Sequence, residues 1–224
     1  MMTEKKKEKR EWPTRKEAEE LLKKAAERRP GGWVKHSEVT ARVAEKIADK
    51  AGLDKNKAYV LGLLHDVGRC KDMGTGHITE GYRILKRRGW NDAARIALTH
   101  SFFTDLMPDE EYAMSEADSE KDEKLMKDFS DKLRSGEIKY DDYDYLIMLA
   151  DCLSLKRGVV TLNDRFTDLM VRHNFPDIRN RIIRIWKIKE RFDEKIGGDV
   201  YNLFKEELQE NALKKPQGLI SIND

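Results

Sequence analysis

Apolar residues recur along this chain mostly at three- and four-residue spacings, and the elements that this pattern predicts are helices throughout. Thr14 precedes the first such run as an N-cap, and Glu17 three residues later completes a capping box. Ala18, Leu21, Leu22 and Ala25 then share one face, and Pro30-Gly31-Gly32 stops the helix. A second helix is predicted over about 33–50 from Val39, Val43 and Ile47, with Gly52 as its C-terminal cap. Residues 55–67 carry Ala58, Val60, Leu61, Leu63 and Leu64. A helix apolar on most sides belongs at the centre of a bundle. Further helices are predicted at about 77–88, 91–103, 119–134, 141–156, 161–173 and 177–209. The last sets Ile178, Ile182, Ile185, Trp186, Phe192 and Ile196 on a broad stripe opposite many basic residues. It is expected to dock on the bundle rather than on a membrane surface. No strand alternation and no internal repeat stands out. The acidic stretch 104–121 reads as a surface loop in preference to a lid. The expected architecture is one all-α domain over 14–213, with charged flexible tails at 1–13 and 214–224.

Composition narrows the picture. The chain has 224 residues, enough for one domain with a sizeable core. Charged residues make up 38% and hydrophobic ones 39%, so the surface must be densely charged. Lys and Arg (44) nearly balance Asp and Glu (42), a net charge of +2 that argues against a nucleic-acid coat or a basic membrane binder. The basic cluster Lys5, Lys6, Lys7, Lys9 and Arg10 is diluted by Glu4 and Glu8, so nucleic acid is not an expected partner. The first ten residues carry no apolar stretch behind their charges and do not read as a secretory signal. No apolar run approaches the ~20 residues that span a bilayer. Cys70 and Cys152 are far apart and read as reduced thiols, which makes the cytoplasm the expected compartment.

Chemistry concentrates where polar residues interrupt apolar helices. Of the five histidines, His36 shares a face with Val39, Val43 and Ile47, and His100 follows Ala93, Ile96 and Ala97. His65 and Asp66 end the most hydrophobic segment, and Asp151 lies inside LIMLADCLSL. A carboxylate in such surroundings is costly unless it is paired or coordinates a cation. Taken singly, such a histidine is a satisfied core residue and such an aspartate a cap. Together they resolve one another if they converge on a metal, with imidazole nitrogen and carboxylate oxygen as donors.

His36, then His65-Asp66, then Asp151 resembles the H…HD…D signature of the HD-domain metal-dependent phosphohydrolases. The local contexts are VKHSEVTARVAEKIA, LGLLHDVGR and LIMLADCLSLKRG. With the opening PTRKEAEELLKK, the similarity extends over roughly residues 14–160. The resemblance implies an HD-domain helical bundle with additional C-terminal helices, and a metal held by His36, His65, Asp66 and Asp151. It implies one or two divalent ions, chosen among Fe, Mn, Zn, Mg, Co and Ni. Binuclear branches, such as HD-GYP proteins and symmetrical diadenosine tetraphosphate hydrolases, place two more histidines between the HD pair and the distal Asp. His77 and His100 stand in that order here, and Asp66 would then bridge. His173 fits no motif position and reads as a helix end. No GYP triplet is present, so cyclic diguanylate is disfavoured. The region after about Gly158 matches no known motif and is expected to shape a pocket or an oligomer contact.

The implied activity is phosphomonoester or phosphodiester hydrolysis of a nucleotide or other small phosphorylated metabolite by metal-activated hydroxide. Asp66, Arg69 and Glu80 are the expected catalytic residues. Arg69, three residues beyond Asp66, suits phosphate oxygens through its guanidinium fork. Glu80 is placed to orient His77 or to move a proton. Lys156 and Arg157 are expected one and a half turns beyond Asp151 on the same helix, to bind phosphate or to solvate the helix end. The alternatives are an HD-type diiron oxygenase and a non-catalytic metal-binding regulatory domain. No membrane partner is expected, and a homo-oligomer remains an open expectation.

Overall fold

Thr14 caps the first helix as its sequence predicts in a computed structural model that describes residues 10–101, 119–172 and 178–212. The Thr14 hydroxyl accepts from the Glu17 amide at 3.3 Å, and the Glu17 carboxylate accepts from the Thr14 amide at 2.8 Å. Helix α1 (Arg15–Arg28) buries Ala18, Leu21, Leu22 and Ala25. Because these caps are solvent-exposed, Thr14→Ala is expected to cost about 1 kcal/mol. That lowers the midpoint of a thermal melt by roughly 2–4 °C for a protein of this size; an unchanged melt would detach the cap from global stability.

The tail expected through residue 13 is in fact anchored from Glu11 onward. Pro13 is buried and Trp12 packs on the core, with the Lys57 ammonium 4.3 Å from its ring. The Glu11 carbonyl accepts from the Asp92 amide at 2.9 Å.

Helix α2 (Gly32–Lys50) is followed by Gly52 at φ +70°, where a Cβ would be strained, so the sequence signal for its end holds. Asp54 caps α3 (Lys55–Leu64) by accepting from the amides of Asn56 and Lys57. Val60, Leu61, Leu63 and Leu64 are each 1% exposed or less, which puts α3 at the centre. It stops three residues short of the expected Val67. Asp66 takes φ −102° and ψ 11°, outside the helical well, and a 3₁₀ turn follows at Val67–Cys70. Helices α4 (His77–Lys86), α5 (Asn91–Thr99), α6 (Glu120–Arg134) and α7 (Asp142–Cys152) complete the bundle.

Two other expected helices are broken. The one expected at 141–156 ends at Cys152, and the chain turns through a short antiparallel hairpin, β1 (Ser154–Leu155) and β2 (Gly158–Val159). Gly158 at φ +125° permits that turn, and two-residue strands are too short to leave a period-two pattern. Helix α8 (Leu162–Arg172) comes next. The stretch expected at 177–209 divides into α9 (Ile178–Ile196), a 3₁₀ segment (Val200–Phe204) and α10 (Lys205–Ala212). Gly197 at φ +69° ends α9, and Asp199 caps the 3₁₀ segment through the Tyr201 amide.

One apolar cluster runs from Ala18 through Ile47, Leu61, Leu64, Ile96 and Ile147 to Phe192 and Phe204, so the C-terminal helices share the core of the bundle. A smaller one joins Ile78 and Leu98 to Met126 and Phe129 of α6. On α10, Glu207 forms a two-pronged pair with Arg42 at 2.7 Å for each bond and accepts from the Val159 amide. Among the described residues no helix is long and apolar enough to cross a membrane. The architecture is all-α, as the periodicity predicts.

Candidate metal centre

Three glycines draw the site together. Gly62 on α3 lies so close to α2 that a Cβ there would stand 2.9 Å from Ala41 Cα. That approach brings the rings of His36 and His65 to a centroid separation of 5.3 Å. Gly68 lies against the start of α4, where a Cβ would meet the His77 carbonyl oxygen at 1.9 Å and the Gly81 nitrogen at 2.4 Å. This contact sets His77 beside Asp66. Gly81 faces Ala97 Cβ on α5, and the His77 and His100 rings come to 5.7 Å. At the end of α5, buried Asp144 accepts from the Thr99 hydroxyl at 2.7 Å and pairs with Arg95, which holds the His100 segment against α7. None of these glycines was singled out from the sequence. The available signal, at Gly62 alone, was a glycine inside an apolar helical run, which when retained has a packing or functional reason.

The six residues expected to bind metal converge. His36 Nε2 is 2.8 Å from Asp151 Oδ1, and His65 Nε2 is 4.0 Å from that oxygen and 3.8 Å from Asp66 Oδ2. His77 Nε2 and His100 Nε2 lie 3.1 and 3.7 Å from Asp66 Oδ1. Two trios have donor atoms close enough to share an ion: His36, His65 and Asp66, then Asp66, His77 and His100. Asp66 belongs to both. The side chains of His65, Asp66, His77 and His100 are 1–7% exposed, whereas His36 (12%) and Asp151 (16%) face the more open side.

Backbone carbonyls orient the imidazoles. His65 Nδ1 lies 2.7 Å from Gly62 O, His77 Nδ1 bonds Gly74 O, and His100 Nδ1 lies 3.0 Å from Ala97 O. An Nδ1–H donor in each leaves the Nε2 lone pair turned toward the carboxylates. His65 Nε2, His77 Nε2 and Asp66 Oδ1 are buried and make no hydrogen bond. His77 Nε2 and Asp66 Oδ1 thus face one another as two acceptors. Such an arrangement is costly unless a cation lies between them. The donor set therefore fits divalent metal ions.

Protonation supports the same fit. Burial pushes His65 below the ordinary imidazole value and His100 down to about 3, so both are neutral at pH 7. Burial opposes ionisation of Asp66, yet the Arg69 guanidinium beside it holds its carboxyl well below the usual range. Burial likewise opposes ionisation of Asp151, and Arg165 and His36 outweigh it. Both carboxylates stay anionic.

The remaining expected residues divide. Arg69 lies in the site: its Nε donates to Asp66 Oδ2 at 2.6 Å and its Nη1 to the Met73 carbonyl at 3.0 Å. Glu80 does not orient His77. The Gly74 carbonyl does so, and the Glu80 carboxylate is taken by Lys71 and Arg83. Lys156 and Arg157 sit in the hairpin turn rather than on a continuation of α7, and Lys156 is exposed with its stem against Gly32. His173 and most of the acidic stretch 104–121 lie outside the described residues. One residue was missed altogether. Arg165 on α8 donates from Nη2 to Asp151 Oδ1 at 3.1 Å, and nothing in its sequence context distinguishes it from the other basic residues.

Searches of curated proteins and of solved structures found no match to the chain. Among models of protein families, the HD domain matches residues 33–155, a stretch that covers more than half of the chain and contains all six converging residues. On that match and on the helical bundle that carries it, the chain belongs to the HD domain family.

Proposed function

We propose that this protein is a metal-dependent phosphohydrolase that cleaves a nucleotide or another small phosphorylated metabolite. Most members of the HD domain family are hydrolases, typically with divalent metal ions. The observation that carries the reading is the position of Asp66, whose Oδ1 faces His77 and His100 while its Oδ2 faces His65. One carboxylate can therefore serve two ions, the first held also by His36, His65 and Asp151, the second by His77 and His100. When bound, such ions supply hydroxide at neutral pH and offset charge on phosphoryl oxygens. Imidazole and carboxylate donors accept Fe, Mn, Zn, Mg, Co or Ni, with geometry and availability deciding among them.

The chain's own groups do the rest. The carbonyls of Gly62, Gly74 and Ala97 hold three imidazoles in the donor tautomer. Arg69 adds a permanent positive charge beside Asp66 that favours an anionic ligand. The partly open His36–Asp151 side admits the substrate, and the buried side excludes water.

The test is release of inorganic phosphate from nucleoside mono-, di- and triphosphates, and of p-nitrophenol from bis(p-nitrophenyl) phosphate, by Mn²⁺-loaded protein. Turnover with at least one of them, abolished by chelator, is the expected result. Loaded protein inert toward all of them would sink the reading, and dioxygen uptake by iron-loaded protein would replace it with an oxygenase. Metal removal should also cost stability. Each ion at a hundredfold its dissociation constant contributes about 2.7 kcal/mol. Chelation should then lower the calorimetric midpoint by roughly 5–10 °C for each ion removed, and an unmoved midpoint would count against ions bound to the folded state.

A further inference from the structure

We propose that Arg165, on a helix beyond the stretch shared with the family, binds a phosphoryl oxygen of the substrate at the open side of the metal centre. The inference rests on the phosphohydrolase reading above. Arg165 lies on α8, ten residues past the end of the family match at residue 155. Its side chain is only 12% exposed, and it points to Asp151, one of the two ligand residues that face the open side.

A guanidinium carries five N–H donors in a planar fork. Here Nη2 donates to Asp151 Oδ1, whereas Nε is buried and makes no hydrogen bond. A buried charged donor left unsatisfied is expensive, so a residue serving only to hold Asp151 would be poorly placed. The Asp151 oxygen that Arg165 contacts is also the one 2.8 Å from His36 Nε2, and thus the oxygen directed into the ligand cluster. A group bonded to that oxygen stands beside whatever the metal centre acts on.

Arg69 makes the corresponding contact with the other carboxylate, Asp66, at 2.6 Å. Each anionic ligand is therefore flanked by one guanidinium, one supplied by the family core and one by the C-terminal extension. A phosphate group, with several anionic oxygens in fork-compatible geometry, is the ligand class that this arrangement suits. The C-terminal extension then contributes to substrate binding as well as to the core.

Inorganic phosphate is the probe, titrated calorimetrically into full-length Mn²⁺-loaded protein, with metal per chain measured on the same samples. Arg165→Gln should weaken phosphate binding roughly ten- to a hundredfold while leaving metal content at the wild-type level. Arg165→Lys, which keeps the charge without the fork, should fall between the two and carries the test if the Gln variant does not fold. Unchanged phosphate affinity in both variants would overturn the assignment while leaving the phosphohydrolase reading intact. Loss of metal together with phosphate would also overturn it, because Arg165 would then act only through Asp151. Wild-type protein that holds metal yet binds no phosphate would overturn both.

Discussion

Asp66→Ala is expected to remove metal from both positions and to abolish metal-dependent activity. Asp66 is the one residue common to the two trios of donors, with an oxygen directed to each. Asp151 contacts only the His36 and His65 side. Elemental analysis should therefore find near two ions per chain in the wild type, near one in Asp151→Ala and near none in Asp66→Ala. Loss of a residue that merely supports a ligand typically costs about 10–100-fold in affinity or activity, so loss of the shared ligand should exceed ~100-fold. The apo variant should still fold. The substitution removes a buried anion that faces imidazole lone pairs, and Arg69, partly exposed, can turn to solvent. Asp66→Ala that retained its full complement would refute the shared site, and equal losses in the two variants would point to a single ion.

Gly68→Ala should be the most damaging alanine substitution among the glycines whose surroundings the structure describes. The added methyl would fall 1.9 Å from the His77 carbonyl oxygen and 2.4 Å from the Gly81 nitrogen. Both neighbours are backbone, so no change of rotamer relieves the clash. The 3₁₀ turn and α4 must part. Overpacking a core costs about 1–3 kcal/mol and occasionally more, and this case should lie at the upper end or beyond it. Gly62→Ala, whose nearest neighbour would be Ala41 Cα at 2.9 Å, should cost less. Gly52→Ala meets nothing within 4 Å and should cost only the roughly 1–2 kcal/mol of a left-handed backbone. Urea denaturation of the three variants would rank them. The Gly68 variant has a second signature, because parting α4 from the turn moves His77 away from Asp66. It should lose the ion at His77 and His100 before the one at His36 and His65. A Gly68→Ala midpoint equal to wild type would show that the turn can move freely.

Much of this protein was legible in its local pattern. Apolar spacing located the helices, because burial of one face requires the same periodicity wherever the helix docks. The capping box at Thr14 and the stop at Gly52 depend on residues within one turn, and both hold in the structure. Five of the six converging residues could be recognised because each is polar in an apolar context, whereas His77, within GTGHITEG, came only from the order that the family resemblance supplied. What tertiary structure alone decided is how those residues are aimed. The helix ends at Leu64, Cys152 and Ile196 fall where the backbone must turn to meet other segments, and the apolar runs continue past the first two. The Asp66 backbone leaves the helical well, which turns its two oxygens toward different histidines. Sequence proximity suggested Glu80 as the partner of His77, but the imidazole turns back to the Gly74 carbonyl while Lys71 and Arg83 take the carboxylate. Arg165 shows the same limit from the other side. Its contact with Asp151 spans fourteen residues and a hairpin, and only packing of the chain against itself brings two such groups within hydrogen-bonding distance.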